Sequence, residues 1–220
     1  MKNLVIFGTG AVAAELTSYL YDGRWAIDEG FHIKGYATSV DAGITQWEKY
    51  KFNEPYLGNI CEYEVESDDY FILALANYKF KREAVDIIKS KNGKFITLIH
   101  PTALISHTAI IGEGNIFSPY TMVGPNVQLG DFNLLTSQSI ISHDSNIGNY
   151  NFFSTSILCG HNQVGDDNFF GVKATTIPDV IIGNRNTIQA GMVIDKNIDN
   201  DTVVFYKYKE KIMITPVITV

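Results

Sequence analysis

An apolar residue returns at every sixth position along the chain from about Ala103 to Ile194. These positions, called the column below, are Ile105, Ile111, Phe117, Val123, Leu129, Leu135, Ile141, Ile147, Phe153, Leu158, Val164, Phe170, Thr176, Ile182, Ile188 and Ile194. The count slips by one residue before Leu158 and then resumes, and only Thr176 is not apolar. A glycine follows the column residue in many repeats, as in Val123-Gly124.

A period of six residues fits neither a 3.6-residue helix nor the alternation of a flat, half-buried sheet. It is typical of a β-helix in which each hexapeptide supplies one short strand and one corner. Three hexapeptides make one triangular coil, so residues 18 apart stack and the column fills a continuous core. Glycine and asparagine are expected at corners that need a positive φ or a close backbone approach. The alternative, a β-rich sandwich with accidental periodicity, is disfavoured because the phase holds over so many repeats.

Before the column begins, the chain alternates predicted strands and helices. The strands are expected at 4–7, 31–37, 69–75 and 95–99, and the helices at 14–20 and 80–91. This alternation predicts a small, parallel, Rossmann-like α/β domain over residues 1–100. Pro101 marks its end, and residues 101–220 are assigned to about five coils of β-helix with a cap from Phe205 to Lys211.

The turn Gly8-Thr9-Gly10 joins the first strand to the first helix. Strand, glycine turn and helix together direct backbone N–H groups at a phosphate. The glycine spacing matches only the loose form of the dinucleotide motif. The stretch at the end of the second strand, 36–39, contains no acidic residue for a ribose, and Asp41 comes too late. A redox cofactor is therefore disfavoured. The turn either holds the diphosphate of a nucleotide-sugar or is only a tight turn, and the sequence leaves both open.

Charge and cysteine content narrow the class of protein. The formal net charge of −7 argues against nucleic acid or an anionic membrane as the main partner. Two lone cysteines, Cys61 and Cys159, and no signal peptide suggest a reducing cytoplasm. No apolar run approaches the roughly 20 residues that span a bilayer, so we expect no membrane insertion.

His143 is the candidate catalytic residue. It lies two positions after a column residue, near a corner, where its side chain can project outward and take a proton from an amine or hydroxyl. Asp144 follows it and is a candidate to support the charged ring. The alternative is a surface histidine without a role.

A zinc site of the three-histidine type would need three neutral imidazoles with an open position. The slip in the column puts His161 out of stacking phase with His143, and His107 lies two coils away, so no metal is expected. Cys159 lies beside a column residue without an evident base, which disfavours it as a nucleophile.

Four segments carry a resemblance to a known family, and they are 5–10, 100–103, 143–148 and 160–191. Over its whole length the chain resembles the sugar O-acyltransferase family of sialic-acid and bacterial nucleotide-amino-sugar acetyltransferases. The resemblance implies a nucleotide-binding α/β domain joined to a left-handed β-helix, assembled as a homotrimer. It also implies His143 as general base with Asp144 beside it, a nucleotide-sugar or amino-sugar substrate, and acetyl-CoA between two subunits against Gly160, Val172 and Ala190.

The chain departs from the family at three places. Val12 stands where many members have a histidine, the coil before Leu158 is one residue short, and 203–207 replaces the usual glycine-proline-alanine ending. The predicted function is acetyl transfer from acetyl-CoA to an amine or hydroxyl of a nucleotide-linked amino-sugar. The alternatives are a non-catalytic nucleotide-sugar-binding or scaffold protein, and a metal-dependent hydratase.

Overall fold

The computed structural model describes residues 1–23, 30–39 and 43–206. In the first part of the chain, five parallel strands form a central sheet in the order β3-β2-β1-β4-β5. The strands are β1 (Lys2–Phe7), β2 (Phe31–Thr38), β3 (Tyr56–Asn59), β4 (Asp69–Leu73) and β5 (Lys94–Phe95). The helices are α1 (Ala11–Gly23), α2 (Gly43–Tyr50) and α3 (Tyr78–Ser90).

The predicted alternation is confirmed for three strands and two helices, with small shifts of their ends. Helix α2 and strand β3 were missed because their apolar signal is weak: α2 buries only Gly43, and β3 is half-buried throughout. The predicted strand over 95–99 is wrong as a single element. Strand β5 ends at Phe95 in the central sheet, whereas Leu98–Ile99 pairs with Ile116–Phe117 in the next part of the chain.

From Leu98 onward the chain forms a parallel β-helix with three sheets of two-residue strands. The docked sheet contains Leu98–Ile99, Ile116–Phe117, Leu134–Leu135, Phe152–Phe153, Phe169–Phe170, Thr187–Ile188 and Val203–Val204. The apolar sheet contains Leu104–Ile105, Met122–Val123, Ile140–Ile141, Ile157–Leu158, Thr175–Thr176 and Val193–Ile194. The mixed sheet contains Ile110–Ile111, Gln128–Leu129, Asn146–Ile147, Gln163–Val164 and Ile181–Ile182.

The column forms the core, as the six-residue period predicted. Its members from Phe117 onward are buried, including Thr176, and its apolar members pack in one cluster. The expectation about corners is only half right. A side chain at Gly112 would lie 2.7 Å from the Gly130 carbonyl oxygen, so close approach explains that glycine. Positive φ falls instead on the third residue after the column position, and these residues are mostly not glycine, as at Tyr120 and Asn126.

One coil is a residue short. Strand pairing joins residues 18 apart in Met122–Ile140 but 17 apart in Ile140–Ile157. The next pairing after the short corner returns to a separation of 18 at Ile157–Thr175. The deletion therefore lies in the corner formed by Ser154, Thr155 and Ser156, and it changes which residues stack in the coils on either side.

The two parts of the chain pack on each other through the docked sheet. The outward side chains of Leu98, Ile116, Leu134 and Phe152 are buried in one cluster with Leu16 and Leu20 of α1. On the other side of the central sheet, Arg82 of α3 makes two hydrogen bonds of 2.9 and 3.0 Å to the Asp167 carboxylate. Helices α1 and α3 thus contact opposite edges of the docked sheet.

The apolar sheet has a different outer surface. Leu104, Met122 and Val193 are 63%, 44% and 60% exposed. Over the described ranges, no helix combines the length and apolar character needed to cross a membrane. Of the predicted cap, Tyr206 donates its hydroxyl to the Gly191 carbonyl at 2.8 Å, and residues 207–211 lie outside the described residues.

Candidate active site

The corner between the apolar and mixed sheets carries His143 and Asp144. The His143 Nδ1 lies 2.7 Å from Asp144 Oδ2, and the Asn126 amide donates to Asp144 Oδ1 at 3.0 Å. Asp144 has a φ of 56°, which turns its side chain back along the histidine ring. The sequence left the direction of Asp144 open, because neighbouring side chains in an extended strand point apart. The left-handed corner conformation brings them together.

The charge on Asp144 favours His143 as a general base. The hydrogen bond from Asn126, and after it the one from His143, lowers the pKa of the Asp144 carboxyl below its usual value. Asp144 is therefore charged at neutral pH and accepts the His143 Nδ1–H. With the proton on Nδ1, the lone pair lies on Nε2. Since the side chain is 54% exposed, Nε2 can reach a reactant.

Gly160 lies directly against the His143 ring. The pairing of Ile140 with Ile157 makes residue 160 the register partner of residue 143. A Cβ at Gly160 would lie 2.7 Å from His143 Cε1 and 2.8 Å from its Nε2. The absence of a side chain at Gly160 is thus what permits this position of the imidazole.

His161 also reaches the pair. Its backbone N–H donates to the His143 carbonyl at 3.0 Å, and the two rings meet edge to face with centroids 5.2 Å apart. The sequence-based expectation that the two histidines do not stack in register is right, because Gly160 is the partner. The two residues are nevertheless in contact through these two interactions.

The residues expected to hold the coenzyme do not all lie together. Val172 and Ala190 stack in successive coils, where the Gly191 N–H donates to the Val172 carbonyl at 2.8 Å. They lie at the corner between the docked and apolar sheets, across the apolar sheet from His143 and Gly160. One six-residue side of a coil spans roughly 15–20 Å at about 3.3 Å per residue. Within one chain, these residues therefore do not converge on His143.

The glycine turn lines a pocket of about 230 Å³ at the carboxyl ends of β1, β2 and β4. The order of the central sheet reverses between β1 and β4, which is where open parallel sheets bind ligands. Gly8 has a φ of 119°, and a Cβ there would lie 2.8 Å from the Ala74 carbonyl oxygen. Phe80, 53% exposed, stands at the pocket wall. Residue 41, considered above for the ribose, lies outside the described residues.

A larger cleft of about 400 Å³, not predicted from the sequence, separates α1 from the corner between the docked and apolar sheets. Its walls include Val12, Glu15 and Tyr19 on one side, and on the other Ser118, Thr136, Ser137, Ser154 and Thr155. The Thr155 N–H donates to Thr136 Oγ1 at 2.8 Å, so the shortened corner is part of the wall. Two features of the sequence could have pointed to this cleft, because both lie in its wall. They are the departures from the family at Val12 and at the shortened coil.

Comparison with known proteins identifies relatives of this chain. No family model matches it. Over 125 residues it is 28% identical to UDP-N-acetylbacillosamine N-acetyltransferase of Bacillus subtilis, an alignment covering 53% of this chain and 51% of that protein. Its relatives are nucleotide-amino-sugar N-acetyltransferases. The resemblance drawn from the sequence is thereby confirmed, and the chain spans about half the length of the curated relative it matches.

Solved structures share the fold. PerB from Caulobacter crescentus, in complex with CoA and GDP-perosamine, superposes with a TM-score of 0.78 at 19% identity, covering 92% of this chain and 93% of that one. The acetyltransferase domain of PglB from Neisseria gonorrhoeae, in complex with acetyl coenzyme A, gives a TM-score of 0.73 at 20% identity, covering 91% and 96%. The parallel sheets thus fit the left-handed β-helix of acetyltransferases.

Proposed function

We propose that this protein transfers the acetyl group of acetyl-CoA to an amine or hydroxyl of a nucleotide-linked amino-sugar. The observation that carries the proposal is the His143–Asp144 pair, in which the exposed imidazole is hydrogen-bonded through Nδ1 to a charged carboxylate. The names of the relatives favour an amine over a hydroxyl acceptor. We further place the protein in the cytoplasm, where its free cysteines stay reduced.

The proposed chemistry is direct transfer without an acyl-enzyme. His143 Nε2 takes the proton of the attacking amine or hydroxyl as that group adds to the thioester carbonyl carbon. The carbon–sulfur bond then breaks, and the leaving CoA sulfur receives the proton that the imidazole holds. Asp144 stabilises the ring while it is charged. Metal is not required by any of these steps.

We assign nucleotide binding to the first part of the chain, residues 1–100. We interpret this part as a Rossmann-like domain. Gly8, Thr9 and Gly10 connect β1 to the first turn of α1, where backbone N–H groups favour a diphosphate. The sugar would continue past Val12 into the cleft beside α1, whose hydroxyl-bearing wall suits a polar ring. We assign acyl transfer to the β-helix that follows, which begins at Leu98, three residues before the predicted boundary at residue 101.

The arrangement of the two corners supports a homotrimer of left-handed β-helices. In a closed ring of three copies, one edge of the apolar sheet faces the opposite edge of the next copy. His143 and Gly160 of one copy then face Val172 and Ala190 of another, with acetyl-CoA between them. The exposed apolar side chains at 104, 122 and 193 give such an assembly a surface to bury.

The function is tested by incubating the protein with acetyl-CoA and UDP-, dTDP-, GDP- and CMP-linked amino-sugars while following free CoA. Release of CoA with at least one amino-sugar, and an acetylated sugar of matching mass, is the expected result. CoA release at the same rate with and without sugar would indicate plain hydrolysis. If no sugar gives release although one raises the melting temperature, the protein is instead a non-catalytic nucleotide-sugar binder.

Replacing Gly160 with alanine should disturb catalysis more than folding. The added Cβ meets the movable, exposed ring of His143 rather than backbone, so the ring is displaced and the coil is kept. We expect kcat to fall by about 10- to 100-fold, since small misplacements of a catalytic group cost this much, with little change in melting temperature. Alanine at Gly10, where a Cβ meets nothing within 4 Å, is the matched control for stability. Full activity of Gly160→Ala would contradict the assigned position of the base.

A charge in the apolar sheet should break the trimer. Met122 is 44% exposed on the second strand of this sheet, and Met122→Glu would have to bury an unpaired carboxylate in the interface. Sedimentation velocity should show the trimer for the wild type and for Gln128→Glu on the mixed sheet, and a monomer for Met122→Glu. A monomeric wild type at micromolar concentration would refute the shared site.

A further inference from the structure

We propose that His143, Asp144 and His161 form a binding site for a divalent transition-metal ion such as Zn²⁺, and that its occupation blocks acetyl transfer. The three side chains offer one ligand atom each, and these atoms lie within 4.8 Å of one another. His143 Nδ1 and Asp144 Oδ2 are already 2.7 Å apart. The inhibitory part of the proposal rests on the proposed function, whereas the binding part does not.

The shortened coil determines how the two histidine rings of the cluster meet. In an 18-residue coil, His161 would be the direct register partner of His143, and the rings would lie one above the other. The 17-residue coil puts Gly160 there instead. His161 then meets the His143 ring edge to face at 89°, held by a backbone hydrogen bond and a φ of 60°. Two imidazole edges and a carboxylate therefore converge at one exposed corner.

The donor set selects the kind of ion. Two imidazole nitrogens and one carboxylate suit Zn²⁺, Co²⁺ or Ni²⁺, whereas Mg²⁺ and Ca²⁺ prefer oxygen ligands. Bonds of about 2.0–2.1 Å to Zn²⁺ place tetrahedral ligand atoms roughly 3.4 Å apart. The three side chains are exposed, so small rotations can reach that spacing. Water completes the coordination, and protons compete with the metal at acid pH.

Binding of a metal and general-base catalysis exclude each other. Both need the neutral imidazole of His143, which carries a single N–H. With Nδ1 on the ion, that N–H lies on Nε2, which then cannot accept a proton from the substrate. The Asp144 carboxylate, which orients the ring, would also bind the ion in place of the His143 N–H. A bound ion would therefore abolish transfer without unfolding the corner. Removal of the ion by a chelator would restore it.

Equilibrium dialysis of metal-stripped protein against Zn²⁺ tests the site without any assay of activity. We expect one Zn²⁺ per chain at micromolar concentration for the wild type, and at least a tenfold weaker affinity for His161→Gln. His107→Gln, which removes another exposed histidine two coils away, is the control and should bind as the wild type does. Binding of Co²⁺ should give the visible absorption of a nitrogen-ligated ion in the wild type and not in His161→Gln.

Inhibition is measured separately. Zn²⁺ should inhibit CoA release by the wild type and by His107→Gln, and excess EDTA should reverse it, while His161→Gln should retain activity at the same Zn²⁺ concentration. Equal Zn²⁺ affinity of the wild type and His161→Gln, or no binding by the wild type, would overturn the metal site. A protein that binds Zn²⁺ as expected but releases no CoA with any sugar would leave the metal site standing and refute the acetyltransferase instead.

Discussion

The His143→Ala variant is expected to lose acetyl-transfer activity by about 10²–10⁴ in kcat, the usual contribution of a general base. The loss follows from the structure because Nε2 of this ring carries the lone pair, while Nδ1 is bound to the Asp144 carboxylate at 2.7 Å. The KM for acetyl-CoA should change little, because in the proposed mechanism His143 accepts a proton from the sugar and does not bind the coenzyme. Steady-state kinetics with the best nucleotide-sugar measures both constants.

Cys159→Ser provides the control for a covalent mechanism. Cys159 is a free thiol next to Gly160, and its backbone N–H donates to the Thr176 hydroxyl at 3.1 Å. We expect this variant to keep most of its activity and to show no burst of CoA release. An inactive Cys159→Ser together with an active His143→Ala would reverse the assigned roles and favour an acyl-enzyme.

The architecture of the β-helix was predictable because its signal repeats. Each column residue, such as Val123 or Ile147, must fill the same narrow core, so one position in six is constrained by one physical cause. The candidate base was predictable only as a residue near a corner. Its contact with Asp144 depends on a left-handed φ at a residue that is neither glycine nor asparagine, and composition does not reveal that conformation.

Features built from distant segments could not be predicted. The cleft beside α1 joins Glu15 to Thr136, which meet only because the docked sheet packs against α1. The edge-to-face arrangement of the His143 and His161 rings depends on a single missing residue in the corner near Thr155. The slip was visible in the sequence, but its effect on two side chains depends on backbone geometry at the following corner.

The same difficulty applies to Lys81, one of three lysines on α3. Lys79 is exposed, whereas Lys81 is 2% exposed and donates from Nζ to the Phe132 carbonyl at 3.0 Å. Only the packing of the β-helix on α3 decides which lysine is buried. Burial lowers the pKa of Lys81 from 10.5 to about 7, because the charged ammonium loses its hydration.

Lys81→Met is therefore expected to stabilise the protein at neutral pH and to destabilise it at high pH. At about 1.4 kcal/mol per pH unit, the lowered pKa of Lys81 costs the wild type roughly 4 kcal/mol of folding free energy at pH 7. Methionine fills a similar volume without this cost, but leaves the buried Phe132 carbonyl unpaired at roughly 1–3 kcal/mol. The net gain at pH 7 is about 1–3 kcal/mol.

The sign of the pH dependence follows from proton counts. Between pH 7 and 10.5 the unfolded chain keeps the Lys81 proton and the folded chain does not, so the free energy of unfolding of the wild type rises with pH. The penalty is full below pH 7 and fades as the pH approaches 10.5. Near pH 10 only about 0.8 kcal/mol of the penalty remains, which is less than the roughly 1–3 kcal/mol cost of the unpaired carbonyl. The order of stability therefore reverses, and the wild type becomes the more stable protein.

Urea unfolding at equal protein concentration, from pH 6.5 to 10, measures the difference between the two proteins. Other groups that titrate in this pH range change the stability of both proteins equally, so their contributions cancel in the difference. Lys79→Met is the matched control on the same helix, and because that side chain is exposed, its curve should run parallel to that of the wild type. A Lys81→Met curve that is also parallel would mean that Lys81 keeps its proton in the folded state, and that α3 packs on the β-helix with a charged lysine between them.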